Sequence, residues 1–417
     1  MKKIVLLASL FGFMLLILSS CGEAKDYSDT YNPDTDYQYF LLEQGRAIQS
    51  GESDTGYYFL NNNYIYYMDK GAMKPVLLDN RPESDCLKQT ATAPISNCNA
   101  YVSNLDGLFG GFLAYNDHHL YVLESAQVLD KDRAVTRYSL IRLSLDGTKR
   151  TKVLEFKFRP MAIAIHRGIV YYSSQDFDVN SDGKYQIFQY DLNKRFAKPK
   201  QVYLGKLEKG SIGDIIPYGK NVYFLEAGIQ NGANLYRTFR YDIQDETVTG
   251  MFTGDPKANC ALVGILHDRL IFNKFYGDVK DPKSWVIYEA DLQGNHEAPL
   301  PIERDFFTFY YAADKYIFGQ PASIYMTPEQ LKAAPDAYRM TVYDQQYQPI
   351  DTVDLSFLPK DHNLLPGDDR YMFAHYRKED ASYIAYLDKQ ELGSGKAKFK
   401  TLIKTDHPDT VITQMEK

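Results

Sequence analysis

Residues 111–124 read GFLAYNDHHLYVLE, a polar turn between two apolar runs that carry tyrosines. Two adjacent histidines, His118 and His119, follow Asn116 and Asp117 in this turn. Read alone, the histidines suggest a metal or catalytic site. Read beside the rest of the chain, the stretch is one copy of a recurring hairpin, and the recurrence predicts the fold.

Seven stretches of the chain share this arrangement of a short polar turn between two apolar, tyrosine-bearing runs. They are centred on Asn62, His118, Arg167, Lys220, Asp268, Asp314 and Asp368. The spacing of about 46–56 residues lies in the range of propeller repeats. Each copy continues into a further strand and an acidic turn. In YQIFQYDL (185–192), for example, residues of opposite character alternate with a period of two, which indicates a strand with one buried face.

Four short strands in each unit of about 50 residues are typical of a propeller blade. Because one blade cannot bury both of its faces, a ring of blades is required. The sequence therefore predicts an all-β fold, a β-propeller of seven blades with four antiparallel strands each, and leaves six or eight blades open. One insertion in the sixth unit, residues 326–337, predicts a short helix with Thr327 as N-cap and Pro328 in the first position.

The composition excludes one class of partner. The 417 residues carry a formal net charge of −7, so no electrostatic footprint for nucleic acid exists. Tyrosine occurs 35 times against one tryptophan, Trp285, and such aromatic enrichment favours strands.

The N-terminus has the pattern of an export signal. Lys2 and Lys3 precede an apolar run, residues 4–18, and the run ends in LSSC at residues 18–21. This ending resembles the lipobox of bacterial lipoproteins, which implies cleavage before Cys21 and attachment of lipid, including palmitate, to that cysteine. We therefore expect an extracytoplasmic protein anchored to a bacterial membrane. The predicted organisation is a signal peptide (1–20), a lipidated cysteine and polar tether (21–54), a propeller (55–405) and a tail (406–417).

The remaining cysteines have different surroundings. Cys86 and Cys98 flank a polar loop, and a disulfide between them is expected to stabilise the fold by about 3 kcal/mol. Cys260 lies in the apolar run CALVGI and is expected to be buried rather than reactive.

One loop is a candidate calcium site. In DFDVNSDGK (176–184), Asp178, Asn180 and Asp182 stand at alternate positions before a glycine, as at the start of a calcium loop, and Asp176 is a further oxygen ligand. Position twelve of an EF-hand would be Gln189 instead of glutamate, so the loop is not an EF-hand. The alternative is an ordinary hairpin tip, in which these residue types are common.

The runs IYYMD (65–69), VYYSS (170–174) and VYFLE (222–226) resemble the Tyr-Trp-Thr-Asp strand of low-density-lipoprotein-receptor propellers and bacterial extracytoplasmic propellers of the TolB-like kind. The resemblance extends over about 350 residues. This sequence differs from those families in two ways: tryptophan is absent from the motif, and seven units are counted where six are usual. It implies a scaffold that binds proteins or small ligands, and it transfers no catalytic residue.

The histidines His118, His166 and His267 occupy the same turn in three repeats, so we expect them on one face near the axis. A metal site needs ligands that converge within about 2 Å of the ion, which equivalent positions on separate blades do not provide, so they are interpreted as turn residues. The chain has no Gly-x-Ser-x-Gly, His-Glu-x-x-His or phosphate-loop motif.

The expected function is binding rather than catalysis. Long, varied loops between second and third strands would emerge together on the face opposite the histidines, and loops on a rigid scaffold commonly carry recognition. Tyr276, Trp285 and Tyr325 are the aromatic candidates there. The predicted protein is a membrane-anchored module for a protein, peptide or glycan partner. The alternative is a surface enzyme acting on glycan or peptide with an acidic site at the propeller axis.

Overall fold

The computed structural model describes residues 27–42, 48–86, 97–103, 111–130, 133–175, 184–255, 257–276, 285–302, 308–313, 315–322, 326–334, 336–359 and 362–406. In these ranges, four consecutive antiparallel strands form each blade, and seven such blades follow one another along the chain. The prediction of an all-β propeller with seven four-stranded blades is confirmed.

The first four blades comprise sixteen strands. They are β1 (Ser50–Glu52), β2 (Gly56–Asn61), β3 (Tyr64–Asp69) and β4 (Pro75–Leu77); β5 (Leu113–Asn116), β6 (His119–Asp130), β7 (Arg133–Ser144) and β8 (Arg150–Phe156); β9 (Ile163–His166), β10 (Ile169–Gln175), β11 (Tyr185–Asp191) and β12 (Lys200–Leu204); and β13 (Glu208–Tyr218), β14 (Asn221–Gln230), β15 (Ala233–Asp242) and β16 (Thr247–Gly250).

The last three blades comprise twelve strands. They are β17 (Asn259–Leu266), β18 (Arg269–Phe275), β19 (Trp285–Asp291) and β20 (Ala298–Pro299); β21 (Thr308–Ala313), β22 (Tyr316–Pro321), β23 (Arg339–Tyr343) and β24 (Pro349–Asp354); and β25 (His362–Leu365), β26 (Tyr371–Lys378), β27 (Ala381–Asp388) and β28 (Lys400–Asp406).

The first strands lie innermost, because β1 contacts β5, β5 contacts β9, β9 contacts β13, and β17 contacts β21 across neighbouring blades. Parallel bridges join Gln49 to Leu113 and Gly264 to Ala312 across two of these contacts. The ring closes between the seventh and first blades through side chains. The ring centroids of Tyr57 and Phe373 lie 5.2 Å apart at this junction.

Tight hairpins connect the first and second strands of each blade on one face of the disc, which we call the turn face. In the opening stretch, Asp117 and His118 have φ of 47° and 56°, and His267 and Asp268 have 48° and 56°. Positive φ at both central residues is the signature of a type I′ turn, whose twist matches that of paired strands. The connections between second and third strands lie on the opposite face, the loop face.

The first repeat is out of phase with the prediction. Its turn at Asn62 and Asn63 joins β2 to β3, whereas the turn that corresponds to His118 is residues 53–55, between β1 and β2. The turn at Asn62 resembles the other repeats in the sequence because the tyrosine-rich strands β2 and β3 flank it. The innermost strand of this blade is only Ser-Gly-Glu, which has no apolar run to mark it.

The helical insertion is confirmed. Residues Pro328–Ala333 form the helix α1 between β22 and β23, with Pro328 in its first position. Among the described helices, none has the length and apolarity that crossing a membrane requires.

The segment predicted as a tether is partly folded. Tyr39–Leu41 forms a 3-10 helix, and the first blade begins at Ser50 instead of 55. The side chain of Gln38 replaces a pairing strand. Its amide nitrogen donates to the carbonyl oxygen of Glu52 (2.6 Å), and its amide oxygen accepts from the Glu52 N–H (2.8 Å).

Candidate functional site

Residues 27–42 lie across the turn face, and we call them the plug. Their backbone and side chains contact residues of the first five blades and of the seventh. Asn116 Nδ2 and the Arg167 N–H donate to the Thr35 carbonyl, Tyr31 stacks on Tyr218 with ring centroids 6.2 Å apart, and the Gly367 N–H donates to the Phe40 carbonyl (2.9 Å). Gln38 contacts β1 and the 3-10 helix Tyr39–Leu41 contacts β17. Tyr39 and Leu42 also line a small cavity together with β21 of the sixth blade. The plug therefore covers the turn-face end of the axis.

A buried ion pair holds the plug to the third blade. The guanidinium of Arg167 donates to both carboxylate oxygens of Asp36, at 2.7 and 3.0 Å, and also to the carbonyls of Ser28 and Thr30, each at 3.0 Å. Asp36 is 1% exposed. Since a buried carboxylate needs a paired cation, this geometry makes the position of the plug depend on Arg167.

His166 is a structural residue of this contact. It is fully buried, its Nδ1 accepts from the Tyr37 N–H (3.1 Å), and its Nε2 lies 2.7 Å from the carbonyl oxygen of Gly219. The two partners require a neutral imidazole with the proton on Nε2, because Nδ1 must accept and Nε2 must donate. His166 thus joins the third and fourth blades to the plug.

The other two histidines of the set lie on the same face but do not converge with it. His118 and His267 are exposed in their turns, and His118 Nδ1 lies 3.4 Å from the hydroxyl of Tyr115. Neighbouring His119 has its Nδ1 2.7 Å from the Asp117 carbonyl oxygen. Across the described ranges, no grouping of three metal-ligating side chains includes a histidine.

Cys86 and Cys98 form a disulfide, with Cα atoms 4.8 Å apart, and Cys260 is buried with a free thiol. Burial raises the pKa of the Cys260 thiol to about 12, so it is unreactive at neutral pH. Asp79 lies beside the disulfide and forms with it the one potential ligand grouping of the described ranges. Both sulfurs are bonded, and Asp79 already accepts from Arg81 and from the Asn99 N–H, so this grouping is structural.

Several predicted site residues lie outside the described residues. These are Cys21, the calcium-loop residues Asp176, Asp178, Asn180 and Asp182, and Tyr325. The two other aromatic candidates are described. Tyr276 is 43% exposed at the end of β18, and Trp285 stacks on Phe275 with ring centroids 3.9 Å apart.

A cavity opens on the turn face, between the plug and the first, second and seventh blades. Its volume is about 380 Å³. Five carboxylates and one ammonium group line it, namely Asp34, Glu52, Asp54, Asp368, Asp369 and Lys70. Tyr31, Tyr39, Phe40 and Tyr115 supply aromatic wall. We call this cavity the acidic pocket.

A network of one ion pair and several hydrogen bonds crosses the pocket from the first blade to the seventh. Lys70 pairs with Glu52, and its ammonium lies 5.3 Å from the centre of the Tyr57 ring. The hydroxyl of Tyr57 donates to Asp368, which also accepts from the N–H groups of Arg370 (3.0 Å) and Tyr371 (2.7 Å). Burial, reinforced by the charge of Asp368, raises the pKa of Glu52 to about 7. Glu52 therefore exchanges its proton near neutral pH.

The raised pKa of Glu52 predicts a pH-dependent stability difference. The folded state retains this proton up to about pH 7, whereas an unfolded glutamate loses it near 4.5, so stability falls as the pH rises between these values. Glu52→Gln removes this titrating carboxyl group. Its unfolding free energy relative to wild type should rise by about 3 kcal/mol between pH 4 and pH 8. Urea unfolding at several pH values measures the slope, and a flat difference would contradict the assignment.

Sequence reasoning missed this pocket. Glu52 lies within residues 21–54, for which the sequence predicts a tether, and the sequence predicts only a turn at Asp368. The two are 316 positions apart in the chain, so no local pattern relates them. The available signal was the clustering of acidic residues at the turns, together with the propeller prediction that brings such turns onto one face.

Comparisons with known proteins show the fold alone. No protein-family model matches the sequence, and no curated protein matches it. The structure is similar to an oligogalacturonate lyase from Vibrio parahaemolyticus, with 11% identity, a TM-score of 0.52, and coverage of 88% of this chain and 94% of that chain. It is also similar to the β-propeller domain of the Trilobed protease from Pyrococcus furiosus, with 13% identity, a TM-score of 0.41, and coverage of 72% and 99%.

A third similarity is to a prolyl endopeptidase, with 14% identity and a TM-score of 0.45. The match covers 90% of this chain and 49% of that chain, so this chain spans about half the length of that protein. The neighbours are β-propeller proteins, and at these identities they carry no site residue over to this one.

Proposed function

We propose that this protein is a membrane-anchored, extracytoplasmic binding protein whose acidic pocket takes a small organic cation or a basic side chain. The charge of the pocket is the observation that supports it, because five carboxylates face one lysine in a cavity of about 380 Å³. That volume lies within the range of about 300–1,000 Å³ that is usual for small-molecule sites. Tyrosine rings in the wall add attraction for a cation.

The plug orients the disc in this proposal. Residues 22–26 separate the proposed lipid-bearing Cys21 from Tyr27, and a fully extended chain of that length spans about 20 Å. Because the plug lies on the turn face, lipid at Cys21 would keep the acidic pocket facing the membrane and the loop face pointing away from it. Small cationic ligands therefore suit this pocket better than a large protein does.

Binding is tested by calorimetry with spermidine and with lysine- and arginine-containing tripeptides as probes. The exposed mouth residues Asp54 and Asp369 make no hydrogen bond or ion pair in the described structure, so Asp54→Asn/Asp369→Asn should leave the fold intact. This variant should weaken binding at least about tenfold, since each lost charge removes about 1 kcal/mol or more. The control Glu155→Gln/Glu246→Gln makes the same charge change elsewhere and should leave affinity unchanged. An equal loss of affinity in both double variants would refute the proposal that cations bind in the acidic pocket.

Anchoring is tested separately. Cys21→Ala should release the protein from the membrane fraction into the soluble fraction, because the acyl chains supply the proposed attachment, at about 0.8 kcal/mol for each buried CH₂ group. Retention of the variant in the membrane fraction would contradict the lipoprotein assignment without affecting the binding proposal.

A second candidate function is catalysis on glycan or peptide, and one observation favours it. A carboxyl group with a pKa near 7 beside a second carboxylate has the properties of a general acid or base. Turnover of polysaccharide or peptide substrates that is lost in Glu52→Gln would favour this function. Binding of cations without turnover of either substrate class would favour the binding protein.

A further inference from the structure

A second cavity lies at the loop-face side of the fourth, fifth and sixth blades, and we call it the channel cavity. Its volume is about 210 Å³. A smaller cavity of about 30 Å³ shares Asp214, Ile216 and Leu262 with it and continues toward Tyr39 and Leu42 of the plug. Together the two cavities follow the axis from the loop face to the inner side of the plug.

Asp214 borders both cavities and is the charged group of this channel. It lies on β13, the innermost strand of its blade, where the register with β14 shifts between Ile212 and Ile215. Within the described structure it makes no hydrogen bond and no ion pair. Burial raises its pKa to about 6, so it is mostly ionised at neutral pH. An unpaired, partly desolvated carboxylate is costly, and a cationic ligand would relieve that cost.

Asn273 supplies a second, independent acceptor. The residue is 5% exposed, and its side-chain oxygen Oδ1 is buried without a hydrogen-bond partner. It lines the same cavity of about 210 Å³ as Asp214. Buried polar atoms are nearly always satisfied in folded proteins, so an unsatisfied oxygen beside a cavity indicates a ligand donor.

The remaining wall of the channel cavity is mostly apolar. Phe224, Leu225, Leu262, Phe309 and the indole of Trp285 contribute to it. Trp285 is held by its stacking on Phe275, with the two ring planes 4° apart. The cavity thus combines a carboxylate and an amide acceptor with a hydrophobic, aromatic surface.

We propose that the channel cavity binds a small primary amine with an apolar or aromatic body, whose ammonium group donates to Asp214 and Asn273. A carboxylate without a protein partner and an unsatisfied amide oxygen call for a ligand with more than one donor, and an ammonium group has three. The apolar body would contact Trp285 and Phe309. A cavity of about 210 Å³ is below the usual range for drug-sized ligands, which restricts the ligand to a small molecule.

This site is separate from the acidic pocket. It shares only Tyr39 of the plug with that pocket, through the smaller cavity, and it opens toward the opposite face of the disc. Either proposal can therefore fail without the other.

Trp285 allows a direct test, because it is the sole tryptophan of the sequence and lines the channel cavity. Phenethylamine does not absorb at the red edge of tryptophan excitation, so its binding should change the Trp285 emission in a saturable way. Phenethyl alcohol has the same body with a neutral hydroxyl, and it should bind at least about tenfold more weakly because it lacks the charge. Calorimetry with both compounds checks binding independently of fluorescence.

Asp214→Asn keeps the size of the side chain and removes its charge. Because the unpaired carboxylate only opposes folding, this variant should melt at or above the wild-type temperature. It should bind phenethylamine at least about tenfold more weakly, with the affinity for phenethyl alcohol unchanged. Asn273→Ala should also weaken phenethylamine binding, by a smaller factor than Asp214→Asn does.

The matched control is Asp54→Asn/Asp369→Asn, on the turn face, which should leave phenethylamine binding in the channel cavity unchanged. Equal affinities for amine and alcohol would overturn the proposal. So would wild-type affinity of Asp214→Asn for the amine, or the absence of any phenethylamine binding by calorimetry. Failure of spermidine binding alone would instead count against the acidic pocket.

Discussion

Arg167→Ala is expected to lower the free energy that holds the plug on the turn face by about 3–5 kcal/mol, the usual effect of removing one partner of a buried ion pair. Asp36 would be left with its charge in a site where it is 1% exposed. Its carboxylate would keep the Asn32 N–H at 3.2 Å, while Nδ1 of the neutral His166 lies 3.8 Å away. Residue 167 has a φ of 49°, a left-handed conformation that is about equally unfavourable for alanine and arginine. Backbone strain therefore contributes little to the expected loss of stability.

The loss should be local, because none of the 28 blade strands includes residues of the plug. Hydrogen exchange at the Tyr37 amide, which donates to His166, should accelerate at least about a hundredfold, while exchange in the blades should change little. Lys200→Ala is the control, since it breaks an exposed pair with Glu246 and should cost less than about 1 kcal/mol.

Adding Asp36→Asn to Arg167→Ala should restore part of the protection of the Tyr37 amide against hydrogen exchange, because a buried neutral amide is less costly than a buried charge. Unchanged hydrogen exchange at the Tyr37 amide in Arg167→Ala would contradict the role of the ion pair.

Arg167→Ala should also weaken cation binding in the acidic pocket, since Asp34, Gln38 and Tyr39 of the plug form part of its wall.

Phe373→Ala is expected to destabilise the whole propeller by about 3–5 kcal/mol, the usual range for an aromatic residue truncated in a core. Phe373 is fully buried on β26, with its ring centroid 5.0 Å from that of Phe59 and 5.2 Å from that of Tyr57. Both partners belong to the first blade. The cavity left by alanine would therefore open at the junction that closes the ring.

The midpoints of urea and thermal unfolding measure this effect. Phe196→Ala is the matched control, because Phe196 is 84% exposed and its loss should change stability by less than about 0.5 kcal/mol. Similar midpoints for the two variants would show that the junction does not limit stability. Glu52 and Asp368 face each other across this same junction, so Phe373→Ala should also weaken cation binding in the acidic pocket.

Much of the fold could be predicted because its information is local. Alternation with a period of two identified the third strand of most blades, and the recurrence of polar turns identified the seven units. The helix at Pro328 followed from its N-terminal residues. The first blade was assigned out of phase because its innermost strand, Ser50–Glu52, is short and polar and has no local hydrophobic signature.

The candidate site was predicted less well. The histidine turns share one face, as expected, and His118 and His267 are exposed turn residues. His166 instead ends β9 and is buried against the plug. Their surroundings, however, depend on the plug, which was interpreted as a tether because its composition is polar and acidic. Asp36 and Gln38 are buried because partners on distant blades satisfy them, and composition alone cannot reveal such partners.

The sequence by itself therefore determined the blades, since strand periodicity and turn chemistry act over a few residues. Only the tertiary structure decided the sites. Glu52 meets Asp368, Asp36 meets Arg167, and Asp214 shares a cavity with Asn273 because the ring brings separate blades together. The pKa of Glu52 and the unsatisfied oxygen of Asn273 are consequences of burial, and burial depends on how the blades pack.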